Sequence, residues 1–207
     1  MIVSLSGACS ILQWGWAGTA LEDESGDLHV IAPFAGGVLV GLLDGLGHGA
    51  EAAAAASAAV PILEAHAAES VIALVQRCHE GLRSTRGIVM SLASFDSRAS
   101  SMTWTGVGNV DGFLFRADDT AAPRACEAIA SRGGVVGYRL PQLHANTLRV
   151  APGDTLVLAT DGIRSGFTTG LATAPAPQEI AEYVIARFAK GSDDAHVVVA
   201  RYLGPDP

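Results

Sequence analysis

A chain of 207 residues that carries 13 Lys and Arg against 21 Asp and Glu, for a formal net charge of −8, has no cationic surplus with which to follow a phosphate backbone or an anionic bilayer. Nucleic acid and membrane surfaces are therefore not expected as partners. With 49% hydrophobic residues the chain can bury one substantial core, which predicts a single domain over residues 1–207.

Taken in order, residues 11–19, 28–33, 38–43, 87–95, 101–107 and 111–116 are rich in alternating or β-branched apolar side chains and are predicted strands. Gly36-Gly37 marks a hairpin between the second and third. Asp96-Ser97-Arg98-Ala99 and Gly108-Asn109 are expected to turn the last three into an antiparallel meander. Residues 49–66 are dominated by Ala and predict a helix that Pro61 should kink or interrupt. A second helix begins near Glu69-Ser70, with Val71, Ile72, Leu74, Val75, Cys78 and Leu82 as its apolar stripe. Further on, residues 147–150, 155–160 and 195–203 predict strands, with Pro152-Gly153-Asp154 as the turn before the middle one. Between the last two, residues 178–189 predict a helix with Ile180, Tyr183, Val184 and Phe188 facing inward. Strands joined by tight turns, with helices kept apart from them, point to an α+β layered domain and not to a parallel βαβ sheet.

Cys9, Cys78 and Cys126 are odd in number and scattered, which reads as reduced structural thiols. The amino terminus lacks the order of charge, apolar run and cleavage site of a signal peptide, and the apolar runs are too short or too weakly hydrophobic to cross a bilayer. A soluble, cytoplasmic protein is expected. Trp14, Trp16 and Trp104 alternate with small or polar residues in strand-like segments and are expected to pack in the core.

The chemistry lies in short acidic islands next to apolar stretches: Ser25-Gly26-Asp27, Asp44-Gly45-Leu46-Gly47-His48-Gly49, Ala159-Thr160-Asp161-Gly162-Ile163 and Asp193-Asp194. Carboxylates gathered at strand ends are hard to sustain in an interior without a cation. Magnesium and manganese take oxygen ligands, and a few carboxylates with water suffice. Gly45 and Gly162 lack a β-carbon, so the backbone there can turn sharply and bring a carbonyl to a metal. The Gly-rich segment then feeds a helix whose amino terminus favours anions. Two cations bridged by one carboxylate can activate a water and stabilise an attacked phosphoryl group, so phosphate ester hydrolysis is a coherent chemistry for the cluster. Asp194 is expected to serve as a turn or cap residue.

In this order, the four acidic motifs resemble those of the metal-dependent type 2C serine/threonine phosphatases, and the Gly-Leu-Gly-His-Gly variant is most similar to their bacterial stress-response branch. The resemblance implies a four-layer α-β-β-α sandwich, two antiparallel sheets flanked by helices. It implies two Mn²⁺ or Mg²⁺ ions, with Asp44 bridging them, Asp27 and the Gly45 carbonyl on the first, and Asp161 and Asp193 on the second. Asp44, Asp161 and Asp193 would act through metal-activated water. His48 and Arg86 are candidate phosphate-binding residues, with Arg164 a further candidate. The implied substrates are phosphorylated STAS-domain proteins of a stressosome, whose dephosphorylation resets the stress signal. Where the family pattern usually has Thr, this chain has His196, and His48 stands two positions later than the His of the Asp-Gly-His-Gly-Gly form. Two other functions fit the same residues: a non-catalytic binding module of this fold, and a hydrolase of small phosphate esters.

Overall fold

The computed structural model describes residues 3–117 and 126–205. Two antiparallel sheets form the centre. The first joins β1 (Val3–Ala8), β2 (Leu12–Thr19), β11 (Ala195–Tyr202), β10 (Thr155–Ala159), β7 (Asp111–Phe115) and β8 (Cys126–Ile129), in that spatial order. The second runs β3 (Asp27–Phe34), β4 (Gly37–Gly45), β5 (Ile88–Asp96), β6 (Ser101–Val107) and β9 (Asn146–Arg149). Helices α1 (Ala50–Ala65) and α2 (Val71–Gly81) cover the outer face of the second sheet, and α3 (Pro177–Phe188) covers the first. This is the α-β-β-α sandwich that the resemblance implies.

Period-two alternation builds all three layers of apolar packing. On β4, Val38, Val40 and Leu42 point into the space between the sheets, where they meet Trp104, Leu114, Leu156, Leu158, Val198 and Tyr202. Leu39 and Leu43 point the other way, onto Ala55, Ala56, Ala59 and Leu63 of α1 and Leu74 and Cys78 of α2. Val197 and Val199 of β11 back onto Ile180, Ala181, Val184 and Ile185 of α3. A strand buried on both faces must read as a continuous apolar run, and β4 does so until Asp44.

Several expectations change. Helix α1 continues through Pro61 to Ala65 because Pro61 and Ser57, the residue whose carbonyl its missing N–H would have engaged, are both exposed, so water can serve that carbonyl. Helix α2 begins where expected, and Ser70 caps it, its hydroxyl accepting from the Ala73 N–H. Tyr183 does not face inward; it is 47% exposed, because the buried stripe of α3 is Ile180, Ala181, Val184 and Ile185, and position 183 falls on its flank. The Gly108-Asn109 turn does not extend a meander. It carries the chain from β6 into the other sheet, where β7 pairs with β10 and β8. Strands β1 and β8 have no counterpart in the sequence reading: both are sheet edges, one built largely of Ser, Gly and Ala and the other short and without a fully buried residue. The three cysteines are free thiols, as expected.

Close backbone approach fixes where β4 hands over to α1. A Cβ on Gly45 would fall 2.2 Å from the Ala52 carbonyl oxygen, whereas one on Gly133 would meet nothing within 4 Å. Gly45→Ala is expected to cost about 2–4 kcal/mol in denaturant unfolding, and Gly133→Ala to stay within about 0.5 kcal/mol of the parent.

Candidate active site

The inward-facing stripes turn polar at one end of the sandwich. Following the alternation past the last apolar residue gives Asp44 after Leu42, Thr160 after Leu158, and His196 and Asp194 before Val198. Asp27 and His29 similarly precede Ile31. Asp27 and Asp44 are direct cross-strand neighbours on β3 and β4. These carboxylates sit at strand ends because the hydrophobic stripes place them there.

Asp44, Asp161 and Asp193 come together around one cavity of about 200 Å³, with Leu46, Gly47, His48, Val89 and Asn109 completing its lining. Asp161, just past β10, accepts a 2.6 Å hydrogen bond at Oδ2 from the Asn109 amide, and its backbone carbonyl accepts from the Lys190 ammonium. Asp193 Oδ1 accepts from the Asp194 N–H at 2.9 Å. Asp27, only 3% exposed, lies behind this cavity and accepts a 2.7 Å bond at Oδ2 from the Thr160 hydroxyl across the two sheets. The Thr160 oxygen in turn accepts from the His196 N–H at 2.9 Å.

Asp194 acts as a tether. Its two carboxylate oxygens accept from the Leu21 and Gly26 N–H groups, each at 2.7 Å, and so tie the β2–β3 loop to the start of β11. Gly45 and Gly162 serve close packing and not sharp turning: neither has positive φ. A Cβ on Gly162 would stand 1.8 Å from the Asp194 carbonyl oxygen. His48 is exposed on the cavity rim, with Nδ1 held 2.7 Å from Glu22. Arg86 pairs with Glu51, and its guanidinium lies beside Gly47, 2.9 Å from where a Cβ there would be. Arg164 is elsewhere, donating to the Ala189 carbonyl. Trp104 is fully buried in the core as expected, whereas Trp14 and Trp16 are half-buried and pack against its margin, Trp16 also stacking on His196. The sequence reading missed Asn109, Thr160, Lys190 and His29; of these, His29 was open to detection, being two residues from Asp27 and hence on the same face.

Burial first, and then repulsion from Asp44, Asp194 and Asp161, pushes Asp27 from 3.8 up to about 8, despite the opposing Thr160 hydrogen bond. Asp44 is pushed up to about 7, again by burial first, then by Asp161, Asp193 and Asp194. Burial lowers His29 to about 4, and burial with the neighbouring His29 lowers His196 to about 3, so both imidazoles are neutral at pH 7 and offset none of this negative charge. The donors are all hard oxygens, suited to magnesium or manganese. Among the described residues no three His, Cys, Asp or Glu side chains are grouped closely enough to hold an ion by themselves. A cation here would complete its shell with carbonyl and water oxygens, as these metals do.

A carboxylate whose folded pKa is raised keeps its proton in the native state after the unfolded chain has lost its own. The metal-free protein should therefore lose stability as pH rises from about 4 through about 7 for Asp44 and about 8 for Asp27. Melting of the chelator-treated protein is expected to fall by roughly 5–10 °C between pH 5 and pH 8. Added Mn²⁺ or Mg²⁺ should recover the loss at pH 8. Asp44→Asn should flatten the pH slope and weaken the metal response.

The model of the family Stage II sporulation protein E (SpoIIE) matches residues 35–203. Phosphoserine phosphatase RsbX of Bacillus subtilis (strain 168) is 29% identical over 73 residues, 35% of this chain and 37% of RsbX, so the match spans little more than a third of that relative. A solved chain from work on the bacterial stressosome, described as a modular system adapted to control secondary messenger signalling, is 27% identical, with 92% of this chain and 99% of that one covered at a TM-score of 0.81. The crystal structure of RsbX in complex with magnesium shares the fold, at a TM-score of 0.83 and 17% identity over 97% of this chain and 100% of RsbX. The chain belongs to the SpoIIE family and carries its PP2C-type phosphatase fold.

Proposed function

We propose that this chain is a metal-dependent serine/threonine phosphoprotein phosphatase of the SpoIIE family, acting on phosphorylated STAS-domain proteins of a stressosome and so resetting a stress-response signal in the cytoplasm. The observation that carries the reading is the convergence of Asp44, Asp161 and Asp193, drawn from three distant parts of the chain, around one small cavity at the end of the sandwich. Family membership supports the activity, and the likeness to RsbX and to a stressosome chain supports the substrate class.

In this reading Asp27, Asp44, the Gly45 carbonyl, Asp161 and Asp193 would together hold two Mn²⁺ or Mg²⁺ ions, with Asp44 shared between them. The ions would supply neutralisation of the phosphoryl oxygens and activation of the attacking water. The chain's own residues do the rest. Thr160 keeps one Asp27 oxygen engaged, and Asn109 does the same for Asp161, so each carboxylate presents a set orientation. Asp194 holds the loop that leads into Asp27. Glu22 fixes the His48 ring at the rim, where it and the Arg86 guanidinium beside Gly47 would receive the phosphoryl group.

A purely docking role would have no use for buried, mutually repelling carboxylates that lower the stability of the metal-free fold. A phosphorylated STAS-domain protein should release inorganic phosphate only with Mn²⁺ or Mg²⁺ present. Asp44→Asn and Asp161→Asn are each expected to lower kcat at least about 100-fold, and Asn109→Ala about 10-fold. Malachite-green detection of phosphate under metal titration measures all three, and full activity of Asp44→Asn would remove the basis of the reading. Faster turnover of small phosphate metabolites than of the phosphoprotein would reassign the substrate class.

A further inference from the structure

The sandwich opens a second time at the same end. A cleft of about 570 Å³ lies between β2, β11 and β3, with Trp16, Glu22, Asp23, Asp27, His29 and His196 in its lining. Its floor is aromatic. The Trp16 ring lies 4.9 Å from His196, with planes 9° apart, and 4.7 Å from His29; His29 Nδ1 and His196 Nε2 are 3.0 Å apart. Glu22 and Asp23, both exposed, form its lip, and among the described residues no lysine or arginine lines it.

The cleft and the carboxylate cavity share a wall. Asp27, on the cleft side, is the cross-strand partner of Asp44 in the cavity, and Glu22 of the lip holds His48 of the cavity rim. An extended chain advances about 3.3–3.6 Å per residue. Directly opposed residues such as Asp27 and Asp44 stand about 4.5–5.5 Å apart, so a polypeptide crossing this wall with its phosphoryl group in the cavity would place a side chain one or two positions away over the cleft.

The chemistry of that cleft selects the side chain. Aromatic faces carry negative potential, and the lip carries the carboxylates of Glu22, which also holds His48, and Asp23. A long aliphatic stem can lie on the aromatic floor while its cationic head reaches the lip. Resting on the phosphatase reading, we infer that the cleft seats a lysine or arginine of the phosphoprotein one or two residues from the phosphorylated one, and that Trp16, His29, His196 and Asp23 thereby determine sequence specificity. This gives His196 a role on the substrate side of the site.

Two phosphoserine peptides that differ only in Arg or Ala at the flanking positions test this, with kcat/KM measured for the parent protein, Asp23→Asn and Asp23→Lys in Mn²⁺. The parent should favour the Arg peptide about three- to tenfold, mainly through KM. That ratio should shrink in Asp23→Asn and reach or fall below one in Asp23→Lys. Asp23 is exposed, so both variants should fold. Equal turnover of the two peptides by the parent, or a ratio unchanged in Asp23→Lys, overturns the cleft assignment and leaves the phosphatase reading standing. If neither peptide is turned over, the phosphatase reading fails instead, and fluorescence anisotropy of the labelled peptides on the same proteins decides the cleft. A preference for the Arg peptide that Asp23→Lys abolishes supports it, and equal binding overturns it.

Discussion

Asp27 and Asp44 stand side by side on neighbouring strands, largely out of water, and repel one another and the acids around them. Much of the local architecture makes that arrangement tolerable. The Thr160 hydroxyl crosses from one sheet to the other to reach Asp27, and the Asn109 amide reaches Asp161. The neutral His29–His196 pair fills the remaining space without bringing a compensating charge. A site so short of positive charge is complementary to cations, and the oxygen-only donor set narrows the choice to hard ones.

The same alternation that makes a core makes the site. Residues 38, 40 and 42 are apolar and face the opposing sheet, and the next inward position is Asp44. Thr160, His196 and Asp194 continue stripes on β10 and β11 in the same way. Because β-strands are stiff and laterally hydrogen-bonded, side chains at their ends hold their mutual placement better than side chains on free loops would. The β2–β3 loop is not left free: Asp194 binds it at Leu21 and Gly26, and those two bonds position both Asp27 and the acidic lip of the neighbouring cleft.

Glycine at this end of the fold answers to packing more than to backbone torsion. Gly45 lets β4 touch the first turns of α1, and Gly162 lets the segment after β10 touch the start of β11. Both follow a carboxylate directly. The acids are therefore held by backbone contacts too tight to admit a methyl group, which limits how far an occupant of the cavity can displace them.

Among the described residues, nine of the eleven strands and all three helices were legible in the sequence, because period-two and helical apolar patterns report directly on which face is buried. The sequence marked Asp27, Asp44, Asp161 and Asp193 as candidates through the turn residues and glycines around them, and the structure brings Asp44, Asp161 and Asp193 to one cavity with Asp27 opposite Asp44. The edge strands β1 and β8 were not, because an edge needs no apolar alternation. The sheet to which β7 belongs was not either: a Gly-Asn turn looks alike whether the chain doubles back or crosses over. Contacts such as Asp27 with Thr160 and His29 with His196 join residues 133 and 167 positions apart, and only the stacking of one sheet on the other decides them. The sequence determined the chemical character of each strand end. The tertiary structure decided which ends meet, because face-to-face packing is a property of whole sheets and leaves no local periodicity to read.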